Sequence, residues 1–151
     1  PGGRLKLATC QFRITADIAA NVEVVLRQTR EAAAQGADLI HFSETCLSGY
    51  AGVEHECFDE HFDWSVLVGG TRSLMALAAQ LGVWIVVGSA HRLGGGHKPH
   101  NCLYVIDPSG GIVDRYDKLF TVGPPSEDDA DLRHYSTGSH FVAFVSTSRA
   151  Y

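Results

Sequence analysis

Apolar and polar positions along the first part of the chain predict a strand, a helix and a second strand. Leu5–Phe12 is a short apolar run, flanked by glycines and a polar turn, that is typical of a buried strand. A one-sided helical spacing of apolar residues starts after Asp17 or Asn21, both good helix caps, and ends at Gly36. Asp38–Phe42 follows as a strand, so the pattern indicates a right-handed βαβ unit.

The middle of the chain predicts a long loop, a helix and a continuous apolar strand. Ser43–Asp63 contains glycines and clustered polar residues without periodicity, as expected of a loop with at most a short helical turn. A helix is best defined over Thr71–Leu81, because Gly69 and Gly70 obscure its start. Val83–Gly88 is apolar throughout, which favours a strand covered on both faces.

The last third predicts a hairpin, a second long loop and a final strand. His100–Ile106 and Gly111–Tyr116 flank Asp107–Gly110, a turn sequence with proline and glycine in favourable positions. Leu119–Thr137 is typical of a loop with an acidic stretch, and His140–Ser146 predicts a strand. This order of elements predicts the α/β class, with residues 1–151 forming one domain or part of one.

Composition and charge narrow the class of protein. Of the 151 residues, 45% are hydrophobic and 19% are charged, which is typical of a globular protein and not of a disordered one. The formal charge of -5 and the scattered basic residues argue against a nucleic-acid partner, and no apolar run has the length of a membrane helix. We therefore expect a cytoplasmic protein whose cysteines are free thiols: Cys10, Cys46, Cys57 and Cys102.

Two charged residues lie where predicted strands end. Glu44 follows the second strand, Lys118 follows the second strand of the hairpin, and each leads into a long loop. Ligands of open α/β sheets collect at the carboxyl ends of strands, so the two side chains are placed to meet if those ends lie on one side. By position alone, each is more commonly a solvated surface charge.

Five segments carry motifs, and two of these surround Glu44 and Lys118. Ala37–Tyr50 has the sequence ADLIHFSETCLSGY, and Asp114–Phe120 has the sequence DRYDKLF. The other three are LATCQ, HNCLYVIDPSG and HYSTG, which begin at residues 7, 100 and 134. Together they resemble the nitrilase superfamily of carbon-nitrogen hydrolases, and the resemblance spans nearly the whole chain.

The resemblance implies roles for three residues. Glu44 corresponds to the general base that activates a cysteine thiol, and Lys118 corresponds to the cation that stabilises the anionic intermediate. Asp131 aligns with a second carboxylate that is common in the family. Glu127 and Asp129 compete for that role, and a solvated acidic loop is the simpler interpretation of all three.

The resemblance also implies a fold, substrates and partners. The chain is expected to form the amino-terminal half of a four-layer αββα sandwich, in proteins that commonly associate as homo-oligomers. Small amides, nitriles or carbamoyl compounds are the expected substrates, and no cofactor is expected.

Departures from the family pattern concern the backbone and the nucleophile. Ser43 and Thr137 stand where the family usually has proline, which changes backbone stiffness and not the reacting groups. The cysteine nucleophile of the family follows the segment that corresponds to His140–Ser146, and none of the four cysteines here matches its motif. We therefore expect the nucleophile to be absent from this chain, and the chain alone to be catalytically silent.

Two other classes of function stay open at this point. In a non-catalytic α/β binding or assembly module, Glu44 and Lys118 would survive as a buried ion pair. A zinc-binding domain would use one of two groups of histidine and cysteine, although neither has the paired spacing of a complete ligand set, and no metal is expected. The groups are His97, His100 and Cys102, and His55, Cys57 and His61.

Overall fold

The chain folds into alternating strands and helices followed by a hairpin, as seen in a computed structural model that describes residues 4–122 and 130–145. None of the helices in these residues is long and apolar enough to span a membrane. The elements are β1 (Leu7–Cys10), α1 (Ile18–Ala34), β2 (Leu39–Phe42), α2 (Trp64–Leu81), β3 (Trp84–His91), β4 (His100–Ile106), β5 (Ile112–Asp117) and α3 (Ala130–His134).

Strand directions in the sheet decide which strand ends lie together. Within the described residues, the strands form one sheet in the order β1-β2-β3-β4-β5. β1, β2 and β3 are parallel, whereas β4 is antiparallel to both of its neighbours. β5 therefore runs in the same direction as β2, and both strands end on the side where β4 begins. The α/β class, the βαβ unit and the hairpin predicted from the sequence are confirmed.

Residues of α1 and α2 share the main core with apolar residues of the sheet. Ile40, Ile85 and Ile106 are neighbours across β2, β3 and β4, and all three are fully buried. Burial of each such side chain contributes roughly 1.5–3 kcal/mol. A second, smaller cluster contains Leu39 and Trp84. Packing against the two helices therefore holds the sheet in position, and the sheet determines where the strand ends lie.

Helix starts in the structure follow from capping side chains. α1 begins after Asp17, whose carboxylate accepts a hydrogen bond from the first turn at 3.0 Å, so Asp17 and not Asn21 is the cap. α2 begins at Trp64, well before the predicted Thr71, because the carboxylate of Asp63 accepts two backbone N–H groups at 3.0 Å. The aspartate cap and the burial of the apolar residues of the helix together offset the unfavourable helix propensity of the glycine pair.

Two strand predictions are wrong in part. The first strand was expected to be buried, but Leu7 is 57% exposed because β1 lies at an edge of the sheet. The described part of His140–Ser146 forms no strand. Instead, the ring of Phe144 stacks on Trp84 with centroids 5.4 Å apart, so this segment contacts the sheet through side chains.

Gly70 marks a close approach between α2 and α1. A Cβ on Gly70 would lie 2.3 Å from Cγ2 of Val22, which is buried and, as a β-branched residue in a helix, is held in one rotamer. A Cβ on the neighbouring Gly69 would meet no atom within 4 Å. Packing therefore requires only the second glycine of the pair that obscured the helix start.

We predict opposite effects for alanine at these two positions. Gly69→Ala is expected to raise the free energy of unfolding by about 0.5–1 kcal/mol, because alanine favours the helix. Gly70→Ala is expected to lower it by about 1–3 kcal/mol, because the added methyl group overpacks the contact with Val22. Urea unfolding of both variants beside the parent protein measures the difference. Equal changes in the two variants would contradict this account of the helix contact.

Candidate active site

Glu44 reaches the site because the chain turns across β3 as soon as β2 ends. A Cβ on Gly88 of β3 would lie 2.2 Å from the carbonyl oxygen of Ser43 and 2.4 Å from the nitrogen of Thr45. Only glycine fits beneath this crossing, and the backbone N–H of Leu47 donates to the Gly88 carbonyl at 3.0 Å. The crossing carries Glu44 from its own strand towards the start of β4.

Lys118 is the first residue after β5, and its backbone is held on both sides. Its N–H donates to the carbonyl of Asn101 at 2.8 Å, and its carbonyl accepts from the N–H of Gly138 at 2.9 Å. A Cβ on Gly138 would lie 2.1 Å from the carbonyl oxygen of Asp117, so this approach also requires glycine. The base of the lysine side chain is therefore fixed before the side chain makes any contact.

The ammonium group of Lys118 connects the candidate residues. Its Nζ lies 2.9 Å from Oε1 of Glu44, 3.0 Å from Oδ2 of Asp131 and 3.1 Å from the hydroxyl oxygen of Tyr50. Asn101 donates from Nδ2 to the same Oε1 of Glu44 at 2.7 Å. The structure thus brings together the three residues singled out from the sequence, with two neutral hydrogen-bonding side chains beside them.

Asp131 is buried and not part of a solvated loop, contrary to the simpler interpretation of the sequence. It lies in α3, within the segment predicted to be a loop, and is only 1% exposed. Its carboxylate accepts the hydroxyl of Tyr50 and, at 2.8 Å, the backbone N–H of Val122. The competing residues Glu127 and Asp129 lie outside the described residues.

These contacts set the charges of the site. Burial acts to lower the pKa of Lys118, but hydrogen bonds to Glu44, Asp131 and Tyr50 outweigh it and raise the pKa above its ordinary value. Burial also acts to raise the pKa of Asp131, yet its hydrogen bonds hold that pKa below the ordinary value. Burial and the bond to Asp131 raise the pKa of Tyr50 to about 12. At neutral pH the lysine is a cation, the aspartate an anion and the tyrosine neutral.

Sequence reasoning gave no role to Tyr50 or Asn101. Both were within motif segments, but a tyrosine in a loop and an asparagine in a strand carry no charge signal. The ring of Tyr50 packs against Tyr135 with centroids 5.6 Å apart, and the hydroxyl of Tyr135 accepts the N–H of Ala51 at 2.9 Å. These contacts between distant segments hold the Tyr50 hydroxyl beside Lys118.

No cysteine of the described residues bonds to Glu44. Cys46 follows it closely in sequence, but its thiol points to the Gly88 carbonyl at 3.4 Å and burial raises its pKa to about 12. Cys102 is buried in β4, where burial likewise raises its pKa to about 12. All four cysteines are free thiols.

The histidine and cysteine groups considered for zinc do not converge. Nδ1 of His100 lies 2.8 Å from the carbonyl oxygen of Ser136, and Nδ1 of His55 lies 3.1 Å from the carbonyl oxygen of Cys57. Across residues 4–122 and 130–145, no three histidine, cysteine, aspartate or glutamate side chains are arranged to hold a metal ion.

The site is open on one side. The side chain of Glu44 is 47% exposed, while those of Lys118 and Asp131 are 20% and 2% exposed. A separate cleft of about 1000 Å³, lined by Phe58–Trp64, Arg92–His97 and Pro99, does not include these three residues. Glu44 therefore lies at an accessible surface, Lys118 and Asp131 lie behind it, and none of the three lines that cleft.

We predict that Asp131→Asn flattens the dependence of stability on pH. The carboxyl group has a folded-state pKa below its ordinary 3.8, so its contribution is complete above that value and is lost as the pH falls through the folded-state pKa. The variant should be less stable at neutral pH and should lose less stability as the pH falls below about 4. Urea unfolding across this range measures the effect.

Glu60→Gln is the matched control, because it removes one negative charge from a side chain that is 89% exposed. It should keep the pH dependence of the parent protein. An Asp131→Asn variant with the same acid sensitivity as the parent would refute the assignment of a lowered pKa.

Solved structures share this arrangement of strands and helices. An amidase of the nitrilase superfamily from Nesterenkonia AN1 aligns with a TM-score of 0.76 and 18% identity over 93% of this chain and 50% of that chain. Glutamine-dependent NAD+ synthetase from Acinetobacter baumannii aligns with a TM-score of 0.70 and 22% identity over 93% of this chain and 25% of that chain. The chain spans about half the length of the amidase, and the predicted nitrilase-like fold is confirmed.

A family profile also covers the site residues. No curated protein matches the chain. The profile described as carbon-nitrogen hydrolase matches residues 6–147, a range that includes Glu44, Lys118 and Asp131. A match over nearly the whole sequence shows membership even though the identity to each aligned structure is low. The chain belongs to the carbon-nitrogen hydrolase family.

Proposed function

We propose that this chain supplies the general base Glu44, the oxyanion-stabilising Lys118 and the second carboxylate Asp131 of a hydrolase. Its substrates are small compounds with a non-peptide carbon-nitrogen bond: amides, nitriles or N-carbamoyl compounds. The observation that carries the proposal is the position of the Lys118 ammonium. It lies 2.9 Å from the Glu44 carboxylate and 3.0 Å from the Asp131 carboxylate, on the side of the sheet where β2 and β5 end.

For an amide, the proposed reaction has two stages. Glu44 takes the proton of a cysteine thiol, and the thiolate attacks the carbonyl carbon while Lys118 stabilises the negative charge on oxygen. The carbon-nitrogen bond then breaks, the nitrogen leaves as ammonia with the proton from Glu44, and a thioester stays behind. Glu44 next takes a proton from water, whose oxygen attacks the thioester to release the acid and restore the thiol.

We propose that the thiol comes from a segment outside this chain. The buried thiols of Cys46 and Cys102 both have a pKa raised to about 12, so neither forms a thiolate readily. The open side of Glu44 leaves room for a thiol from such a segment.

The alternative of a non-catalytic module predicts a structural ion pair between Glu44 and Lys118. The exposure of Glu44 argues against it, because a pair that is open to water contributes only about 0–1 kcal/mol to stability. The accessibility of Glu44 instead suits a group that must meet a substrate.

Cytoplasmic location and homo-oligomeric association are part of the proposal. The four free thiols support a reducing compartment. Phe120, Phe141 and Val145 are 75%, 77% and 85% exposed, and apolar side chains so exposed support association with further protein surface.

We predict that Glu44→Gln abolishes activity without a matching loss of stability. In the protein that carries both this chain and the thiol, ammonia release should fall by about 10²–10⁴-fold, because the amide cannot accept a proton. The unfolding free energy should change by less than about 1 kcal/mol. Ammonia release is measured with a panel of amides, nitriles and N-carbamoyl amino acids, and stability by urea unfolding.

Glu31→Gln is the control, because Glu31 forms an exposed pair with Arg27 at 3.3 Å, far from the site. It should change neither quantity. A Glu44→Gln variant that keeps the parent rate, or that loses stability in proportion to activity, would favour the non-catalytic module.

A chain of residues 1–151 alone is expected to release no ammonia from any of these substrates, because it lacks a thiol at Glu44. The measurement is the same ammonia assay on the purified chain. Activity of this chain that disappears in Glu44→Gln would show that one of its own cysteines is the nucleophile.

A further inference from the structure

Asn101 links the two main residues of the site. It lies in β4, is only 3% exposed, and pairs with Ala90 of β3 in the sheet. Its backbone carbonyl accepts the N–H of Lys118 at 2.8 Å, and its side chain donates to Glu44 at 2.7 Å. A single buried residue therefore contacts the backbone that carries the cation and the carboxylate that serves as base.

The hydrogen bonds of Glu44 are uneven between its two oxygens. Nδ2 of Asn101 and Nζ of Lys118 both lie within 2.9 Å of Oε1. Among the described residues, these are the hydrogen bonds of the Glu44 side chain, and Oε2 has none. With the side chain 47% exposed, Oε2 is the oxygen available to an incoming group.

We propose that Asn101 is a positioning residue that holds Oε1 of Glu44 and so leaves Oε2 as the oxygen that accepts the proton. This inference rests on the proposed function, because it assigns the basic atom of the same site. Oxygen Oε1 already accepts two hydrogen bonds, one of them from a cation, which occupies its lone pairs. Oxygen Oε2 keeps its lone pairs free for the thiol proton and later for a proton of water.

The chemistry of an amide suits this task. The Nδ2 group of asparagine donates hydrogen bonds at every pH at which the protein is folded, and it carries no charge. A second cation at this position would hold Glu44 equally well, but it would stabilise the ionised carboxylate further and weaken it as a base. A neutral donor fixes the orientation of the carboxylate without placing a second positive charge beside it.

Two variants of Asn101 test the inference in the protein that carries both this chain and the thiol. Asn101→Leu removes the donor at similar volume, and Asn101→Asp keeps the shape but replaces the donor with a carboxylate that repels Glu44. Both keep the backbone carbonyl that binds Lys118. We expect kcat to fall about ten- to hundredfold in Asn101→Leu, as for the loss of one hydrogen bond to a charged group, and further in Asn101→Asp. KM should change less than kcat.

Thr29→Val is the matched control. Thr29 is fully buried in α1, at 0% exposure, and its hydroxyl donates to the carbonyl of Val25 at 2.8 Å within the same helix. This variant should lower stability and leave kcat unchanged, which separates a general effect of losing a buried hydrogen bond from an effect on the base. If all three variants lower kcat in proportion to stability, the positioning role is refuted.

Crystal structures of the Asn101 variants provide a readout that does not need activity. We expect the Glu44 carboxylate to turn so that Oε1 leaves its present place beside Lys118. A carboxylate that stays in place in both variants would overturn the inference. If the parent protein releases no ammonia, the proposed function fails, and these structures still decide whether Asn101 holds Oε1.

Discussion

The position of one ammonium group between two carboxylates is the interaction on which the rest of the site depends. Asp131 is almost fully buried, and an isolated buried carboxylate would cost several kcal/mol. The Lys118 ammonium at 3.0 Å offsets that cost, and the same group holds Glu44 at 2.9 Å. Its third short contact, with the Tyr50 hydroxyl, uses its remaining donor. The cation is thus held by three side chains, two from the loop after β2 and one from α3.

The fold supplies this geometry through strand direction and two close backbone approaches. β2 and β5 end on the same side because two antiparallel pairings separate β3 from β5. Strand direction alone would not bring Glu44 and Lys118 together, because β3 and β4 lie between β2 and β5. Gly88 closes the gap by letting the chain cross β3, and Gly138 lets its segment pack against Asp117. A side chain at either glycine would collide with backbone atoms, so the site depends on these positions as much as on its charged residues.

The sequence predicted what local pattern controls and missed what distant segments control. Apolar runs located β2 and the hairpin, and therefore the strand ends that carry Glu44 and Lys118. The burial of Asp131 depends on contacts with Tyr50 and Val122, which no local pattern reveals. The roles of Asn101 and Tyr50 were missed for the same reason. A composition typical of a loop indicated solvent around Asp131, whereas the hydrogen bonds available in the fold placed it inside.

Two carboxylates around one lysine make sense if only one of them changes its charge. In the proposed reaction, Glu44 becomes neutral when Oε2 takes the thiol proton, and its Oε1 is then a weaker acceptor for Lys118. Negative charge develops on the substrate oxygen in the same step, so the ammonium turns towards it at little cost. Asp131 stays ionised because hydrogen bonds hold its pKa low, and it keeps its contact with the cation while the cation turns. The transfer of the thiol proton to Glu44 creates the thiolate nucleophile. The same transfer would therefore also release the Lys118 ammonium to stabilise the anionic intermediate that the thiolate forms.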